Sequence, residues 1–346
     1  MGFWGRFLGS VSPDISIDIG SYTMPILVSG HGRVYSEPSY LAYDKVLRRF
    51  VALGASAKAL MGRTLPSIEV RRPVREGVIA DFDGTEMLLR HLLRVANPKG
   101  IMAPRMIVGV TGDASDVECR AAAEVARAAG ARTVYLVPQL LASAVGAGLP
   151  ILEPQGFLVI NIGGETIQAG VITMGEIVVS ECLRWGSGSF DDKIITYLRS
   201  HHNHLISQAS AEELKVAIGS AVSDEVPMSG SVCGLDLNSG LPKRLSVDSV
   251  QLALQFEELL DEIAQMLKRV LEATPPELAE DIMQSGCVLC GGGALLRDID
   301  VYLTRVTGVD CYVAQEPLLS VVLGADMVLQ NPRLLRSVMN RSLVSL

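Results

Sequence analysis

The stretch ISIDIGSYTMPILVSGHGRV, Ile15 to Val34, returns as LVINIGGETIQAGVITMGEI, Leu158 to Ile177, displaced by 143 residues. At that displacement Ile19, Gly20, Thr23, Val28 and Gly32 meet Ile162, Gly163, Thr166, Val171 and Gly175, and Asp18 meets Asn161. Each copy reads as an apolar strand, a glycine turn and a second strand. A repeat of this kind argues against one indivisible core and predicts two related halves that open on the same hairpin. The 346 residues suffice for two halves of ordinary domain size.

The repeated hairpin carries its own chemistry. Each apolar strand delivers a polar residue, then a glycine whose missing side chain lets backbone N–H groups approach an anion, then a threonine hydroxyl. Two such hairpins facing each other clamp a polyphosphate. A third turn, in VLCGGGALLRDID, sets Gly291, Gly292 and Gly293 between a strand and an expected helix, where backbone can pass close to a flat ring or a phosphate. The chain contains no G-x-x-x-x-G-K-[ST], which excludes a P-loop.

Between the hairpins the pattern reads as a helix to Ala129, a turn at Gly130, the strand TVYLV and a helix of small residues. After the second hairpin, SAEELKVAIGS predicts a short helix with a capping-box start at Ser210, and SVQLALQFEELLDEIAQMLKRVLEAT a long amphipathic one. Strands with intervening helices indicate α/β layers.

Composition removes several function classes. With 49% apolar and 20% charged residues the chain is not disordered, and a net charge of −8 argues against a general nucleic-acid binder. The uncharged run Thr133 to Leu152 contains Pro138, Gly146, Gly148 and Pro150, which fits a short buried helix flanked by turns better than a membrane span. Six cysteines show no dense framework, and a reducing cytoplasm is expected. Cys287 and Cys290 lie in an apolar strand with no second pair to complete a metal site, so they are expected in the core. The histidines of HHNH, His201 to His204, read as the solvated end of a helix.

The segments REGVIADFDGTEMLLRHLL, ASAVGAGLP, AEELKVAIGSA and LCGGGALLRDID, in this order and spacing, resemble the MreB family. These are the bacterial actin-like proteins of cell shape, within the superfamily of actin, sugar kinases and heat-shock chaperones. The resemblance covers nearly the whole chain. It implies an actin-like ATPase fold of class α/β: two related domains, each with a smaller subdomain, ATP and Mg²⁺ in the cleft between them, and homopolymer filaments of stacked subunits. By position it implies a first domain at 12–148 (small subdomain about 35–74) with the C-terminal helices 319–346. The second domain would take 149–318, with its small subdomain at about 187–248.

Residue by residue, Asp18, Gly20, Ser21, Tyr22 and Thr23 match the first phosphate loop, and Asn161, Gly163, Gly164, Glu165 and Thr166 the second. Glu212 and Lys215 match the pair flanking the nucleoside; three apart on a helix, they share a face. Gly291, Gly292 and Gly293, followed by Ala294, match the turn beneath adenine and ribose. The family role of catalysis falls on Gln139, Asn161 and Asp18, with Asp18 reaching Mg²⁺ through a bound water.

The departures concentrate at the phosphates. The family's D-L-G-T-A-N-T is here DIGSYTM, so Tyr22 intrudes. Its D-I-G-G-G-T has Asn161 for Asp and Glu165 for the third Gly, and its G-G-D-E-F-D has become GSGSFD, with Gly188 at an acidic position. The helix that usually begins with Glu begins with Gln139, and a neutral amide can still position water. Only Asp18 remains of the usual carboxylate cluster. Glu165 is either a new ligand or a source of repulsion, since two like charges about 4 Å apart cost on the order of 4 kcal/mol at an effective dielectric of 20. Hydrolysis is expected to be slow or absent.

The tail 1–11 begins MGFWGRFL, with Phe3, Trp4, Phe7 and Leu8 at helical spacing, a pattern suited to the bilayer interface. A loop, NPKGIMAPR, offers Ile101 and Met102 as an apolar tip, and the family has a hydrophobic loop in the same place. The expected function is a membrane-associated actin-like filament that organises cell-wall synthesis. Its expected location is cytoplasmic, peripheral on the inner face of the cell membrane, with membrane proteins of the elongation machinery as implied partners. A sugar kinase would need an acidic catalytic base near a sugar pocket. The competing reading is a nucleotide-independent scaffold, a diverged paralogue that has lost ATPase activity.

Overall fold

The computed structural model describes residues 13–30, 32–97, 103–223 and 225–339. Its first half runs β1 (Ile15–Asp18), β2 (Thr23–Val28), β3 (Val34–Pro38), β4 (Leu41–Asp44), β5 (Arg49–Leu53), α1 (Gly54–Ala59), β6 (Ile68–Arg71), β7 (Val74–Arg75), β8 (Val78–Ile79), α2 (Phe82–Ala96), β9 (Arg105–Val110), α3 (Asp116–Ala129), β10 (Thr133–Pro138) and α4 (Gln139–Gly146). Next come β11 (Phe157–Ile162), β12 (Ile167–Thr173), β13 (Glu176–Leu183), α5 (Gly188–His202), β14 (His204–Leu205), α6 (Gln208–Ile218), β15 (Ser229–Asp236), β16 (Pro242–Asp248), α7 (Ser249–Glu272) and α8 (Pro276–Ser285). The chain closes with β17 (Cys287–Cys290), α9 (Ile299–Thr307), β18 (Cys311–Val313), α10 (Ser320–Gln330) and α11 (Pro332–Met339).

The sequence repeat becomes a repeat of sheets. One sheet has the order β3-β2-β1-β9-β10 and the other β13-β12-β11-β17-β18. In both, the first three strands are antiparallel and the last two join in parallel. Even the register repeats: Ile15 faces Val28 in one hairpin, and Leu158 faces Val171 in the other. Every residue of β11, FLVINI, is buried, as expected of a strand with helices on both faces of its sheet.

Each half has its own apolar core, built on β1, β2 and α2 in the first and on β11, α5 and α7 in the second. The long α7 opens on a capping box made by Asp248 and Gln251, and its Phe256 meets Phe190 of α5 edge to face at 4.9 Å. That contact fixes the first turn of α5, which borders the cleft. Smaller three-stranded sheets, β5-β4-β6 and β14-β15-β16, extend the two halves.

A third core joins the halves. It draws Ile107 and Val137 from one sheet, Val159, Ile172 and Val288 from the other, and the buried faces of α4 and α10 between them. These helices touch backbone to backbone. A Cβ on Gly146 would lie 1.9 Å from the Ser320 carbonyl oxygen, and one on Gly324 would lie 1.8 Å from that of Ala142. Glycine at both positions is therefore a condition of the crossing.

Three local expectations need correction. His204 is 1% exposed, because left-handed Asn203 ends α5 and turns the chain into β14, where His204 faces inward and Leu205 is exposed; burial lowers the pKa of its imidazole. The cap of α6 is Ser207, which accepts from the Ser210 N–H, so the helix starts earlier than the acidic pair suggests. The glycines after β17 lead into a single 3₁₀ turn, Gly292–Leu295, and α9 begins only at Ile299. Cys287 and Cys290 are buried in β17, as their apolar setting implies. No helix among the described residues is long and apolar enough to cross a membrane.

Gly324→Ala should lower the stability of the folded chain by about 2 kcal/mol or more, the range for overpacking at a close contact. Urea unfolding followed by circular dichroism measures it. A loss below about 0.5 kcal/mol would show that the crossing relaxes freely.

Candidate functional site

A cleft of about 470 Å³ lies between the halves. The β1–β2 turn contributes Asp18, Gly20, Ser21, Tyr22 and Thr23, and the β11–β12 turn contributes Asn161, Gly163, Gly164, Glu165 and Thr166. Gln139 enters from α4, Glu212 and Lys215 from α6, and Gly291, Gly292 and Gly293 from the turn after β17. Ala294 does not line the cleft; it is 2% exposed beneath that turn. Phe3, Trp4, Phe7, Leu8, Ile101 and Met102 lie outside the described residues.

The two loops are built alike. A Cβ on Gly20 would lie 2.5 Å from the Thr23 carbonyl oxygen, and one on Gly163 would lie 2.9 Å from that of Thr166. Gly291, at φ 82°, passes so close that a Cβ there would lie 2.3 Å from the Ile162 carbonyl oxygen. Only glycine combines that φ with that approach.

The two ends of the cleft differ in character. At one end stand Val216, Leu295, Leu318 and Met228, whose exposures of 80, 56, 53 and 43% are high for large apolar side chains. An exposed apolar cluster inside a concavity is a surface for a flat, apolar ligand face. Sequence reading missed all four, Val216, Leu295, Leu318 and Met228, since each is ordinary in its own segment and the fold alone brings them together.

At the other end a chain of amides crosses between the halves. The Gly112 N–H donates to Gln168 Oε1 at 2.9 Å, Gln168 Nε2 to Gln139 Oε1 at 2.8 Å, and Gln139 Nε2 to Asp18 Oδ1 at 2.7 Å. A backbone donor at one end and a carboxylate at the other fix the direction of every link. Gln168, 2% exposed, was not foreseen; its signal is an amide within the otherwise apolar run IQAGVI. Burial pushes the Asp18 carboxyl up to about 6, against the pull of the Gln139 hydrogen bond.

The acidic groups are otherwise paired. Lys215 meets Asp191 at 2.8 Å and donates to the Ser187 carbonyl at 2.8 Å. Burial raises the Asp191 carboxyl to about 6, with Lys215 opposing the shift. Glu212 pairs with Lys58 of α1 at 2.7 Å, across the mouth of the cleft. Glu165 is tied at both oxygens: Arg72 reaches Oε1 at 2.7 Å and the Glu76 N–H donates to Oε2 at 2.8 Å.

The donor set does not form an all-protein cage for Mg²⁺. Among the described residues no group of three or more His, Cys, Asp or Glu side chains gathers around one point. Asp18 suits a cation that arrives on phosphate oxygens and keeps its waters, the usual habit of Mg²⁺. Such an ion would neutralise phosphate charge beside Asp18.

Comparison with known proteins identifies this arrangement. Residues 12–337 match the MreB/Mbl protein family. The chain belongs to the MreB/Mbl family. It is 39% identical over 331 residues to the cell shape-determining protein MreB of Escherichia coli, covering 94% of this chain and 95% of that one. To the cell shape-determining protein Mbl of Bacillus subtilis it is 37% identical over 319 residues, covering 92% and 96%. The crystal structure of MreB5 of Spiroplasma citri bound to ADP superposes with a TM-score of 0.88 at 35% identity, covering 92% and 96%. The MamK double helical filament shares the fold, with a TM-score of 0.76 at 17% identity and coverage of 92% and 99%. The fold is therefore actin-like.

Asp18 gives a stability test with a definite sign. Its folded carboxyl holds a proton more tightly than the ordinary 3.8, so its contribution is most favourable below pH 4 and falls away as pH rises through about 6. Asp18→Asn, which keeps an acceptor for Gln139, should stabilise the ligand-free chain by about 3 kcal/mol at pH 7.5 and by nothing near pH 3.5. Urea unfolding at the two pH values checks this. Equal effects at both would contradict it.

Proposed function

We propose that the chain is a membrane-associated, actin-like filament protein of cell shape that binds an adenine nucleotide in its interdomain cleft and hydrolyses it slowly or not at all. The observation that carries the reading is the cleft itself, in which duplicated glycine loops face each other below an apolar seat for a base. One relative supports the ligand class, since MreB5 of Spiroplasma citri has been solved with ADP and with AMPPNP. Mg²⁺ would enter with the phosphates beside Asp18.

The domain division that accompanies this reading is 12–148 with the C-terminal helices for the first domain and 149–318 for the second. Contacts of α10 with β1, β2 and β9 are consistent with it. The commitment of Gln139 favours slow hydrolysis: one N–H of its amide goes to Asp18 and its oxygen accepts from Gln168, which leaves one N–H and one lone pair for an attacking water. Asn161, a neutral amide in the second loop, cannot accept a proton as a carboxylate would.

For the membrane the support is sequence: Phe3, Trp4, Phe7 and Leu8, with Ile101 and Met102 as a second contact. One such tail binds weakly, whereas a filament presents many together. The inner face of the cytoplasmic membrane and membrane proteins of the elongation machinery are the partners this reading assigns.

Purified full chain, incubated with Mg-ADP or Mg-ATP and lipid vesicles, should form filaments visible by negative-stain electron microscopy and co-float with the vesicles. Replacing Phe3, Trp4, Phe7 and Leu8 by serine should lower the floated fraction at least fivefold and leave assembly intact. A chain that stays monomeric under every condition would overturn the reading.

A further inference from the structure

The polar head of the cleft is occupied by side chains from both halves that fit one another. The Tyr22 ring, carried by the first loop, rests on the second half at two glycines. A Cβ on Gly164 would lie 2.2 Å from the ring, and one on Gly188 would lie 2.1 Å from the phenol oxygen. Gln208 donates to the same oxygen at 3.4 Å. Over the ring lies the Arg72 guanidinium, 4.4 Å from its centroid, and that guanidinium also holds Glu165.

The hairpin β7–β8 closes the arrangement. Its two turn residues, Glu76 and Gly77, both have positive φ, which gives the tight turn that reaches the second half. There the Glu76 N–H meets Glu165, and the Glu76 carbonyl accepts from Arg184 at 2.8 Å. Arg72 and Glu165 are only 19 and 18% exposed, so their attraction is screened less than that of a surface pair. Tyr22 and Glu165 line the cleft, while Arg72 stands behind them.

We propose that Tyr22 and Glu165, backed by Arg72, form a latch that bridges the halves where the third phosphate of a nucleoside triphosphate would lie, so that the cleft selects a nucleoside diphosphate. The proposal rests on the nucleotide reading of the cleft, with the base at the apolar end and the phosphates running toward the paired loops. The ring takes up room between those loops. A third phosphate would also bring negative charge against the Glu165 carboxylate and compete with it for Arg72. Tyr22, Glu165 and Gly188, three separate departures in the sequence, thereby become one interlocked set.

Calorimetric titration of the full chain with Mg-ADP and with the Mg complex of AMPPNP tests selectivity. The unaltered chain should bind ADP at least tenfold more tightly, and a Tyr22→Ala, Glu165→Gly double variant should bring the two within threefold. Glu165→Gln, a milder change, should narrow the ratio by an intermediate amount. Equal binding of both nucleotides by the unaltered chain, or a ratio unmoved by the variants, overturns the latch and leaves the nucleotide site standing. A second readout needs no ligand: spin labels at Leu65→Cys and Leu241→Cys, in a Cys233→Ser background, report the distance across the cleft. The latch predicts that the double variant broadens that distance distribution, and an unchanged distribution overturns it. Failure of every variant to bind either nucleotide sinks the nucleotide reading and the selectivity drawn from it.

Discussion

The crossing of α4 and α10 at Gly146 and Gly324 is the contact on which the rest of the structure depends. Because two backbones meet there without intervening side chains, one thin layer of helix serves the inner faces of both sheets. The same crossing aims the cleft. Gln139, the first residue of α4, reaches Asp18, and Val321, at the start of α10, forms part of the cleft wall. A Cβ on Gly109 of β9 would lie 3.0 Å from Val321 and 3.2 Å from Gln139, so the sheet too is pressed against these helix ends.

Charge in the cleft is arranged by the same logic of close quarters. Asp191 is met by Lys215 and Glu165 by Arg72, while Asp18 is held by a neutral chain of amides and keeps a raised affinity for protons. Burying an acid beside amides alone costs more than burying it in an ion pair. The geometry tolerates that cost at Asp18, which is where a hydrated cation bound to phosphate would relieve it. The opposite end bears no such tension: its large apolar side chains are simply uncovered.

What the sequence disclosed and what it hid follow from how far apart the interacting residues lie. The duplicated hairpins were legible because strand, turn and strand are contiguous, and their periodicity survives at a fixed displacement. The core cysteines, the helix ending at Gly130 and the long α7 were legible for the same local reason. Gln168, Met228 and the partnership of Arg72 with Glu165 were not, since each depends on segments joined only by the fold. Glu165 shows the difference well. Read alone, its charge is either a ligand or a source of repulsion. In place, both oxygens are already engaged. His204 erred the other way, because a left-handed Asn203 gives no pattern that distinguishes a frayed helix end from entry into a strand that turns one side chain inward.

The central claim, that the two copies of one hairpin act together on a single nucleotide, is tested most directly by hydrogen exchange on the full chain with and without Mg-ADP. The account predicts that exchange slows in both loops together, 18–23 and 161–166, and in the turn 291–293. Protection of one loop alone, or of neither, would contradict it.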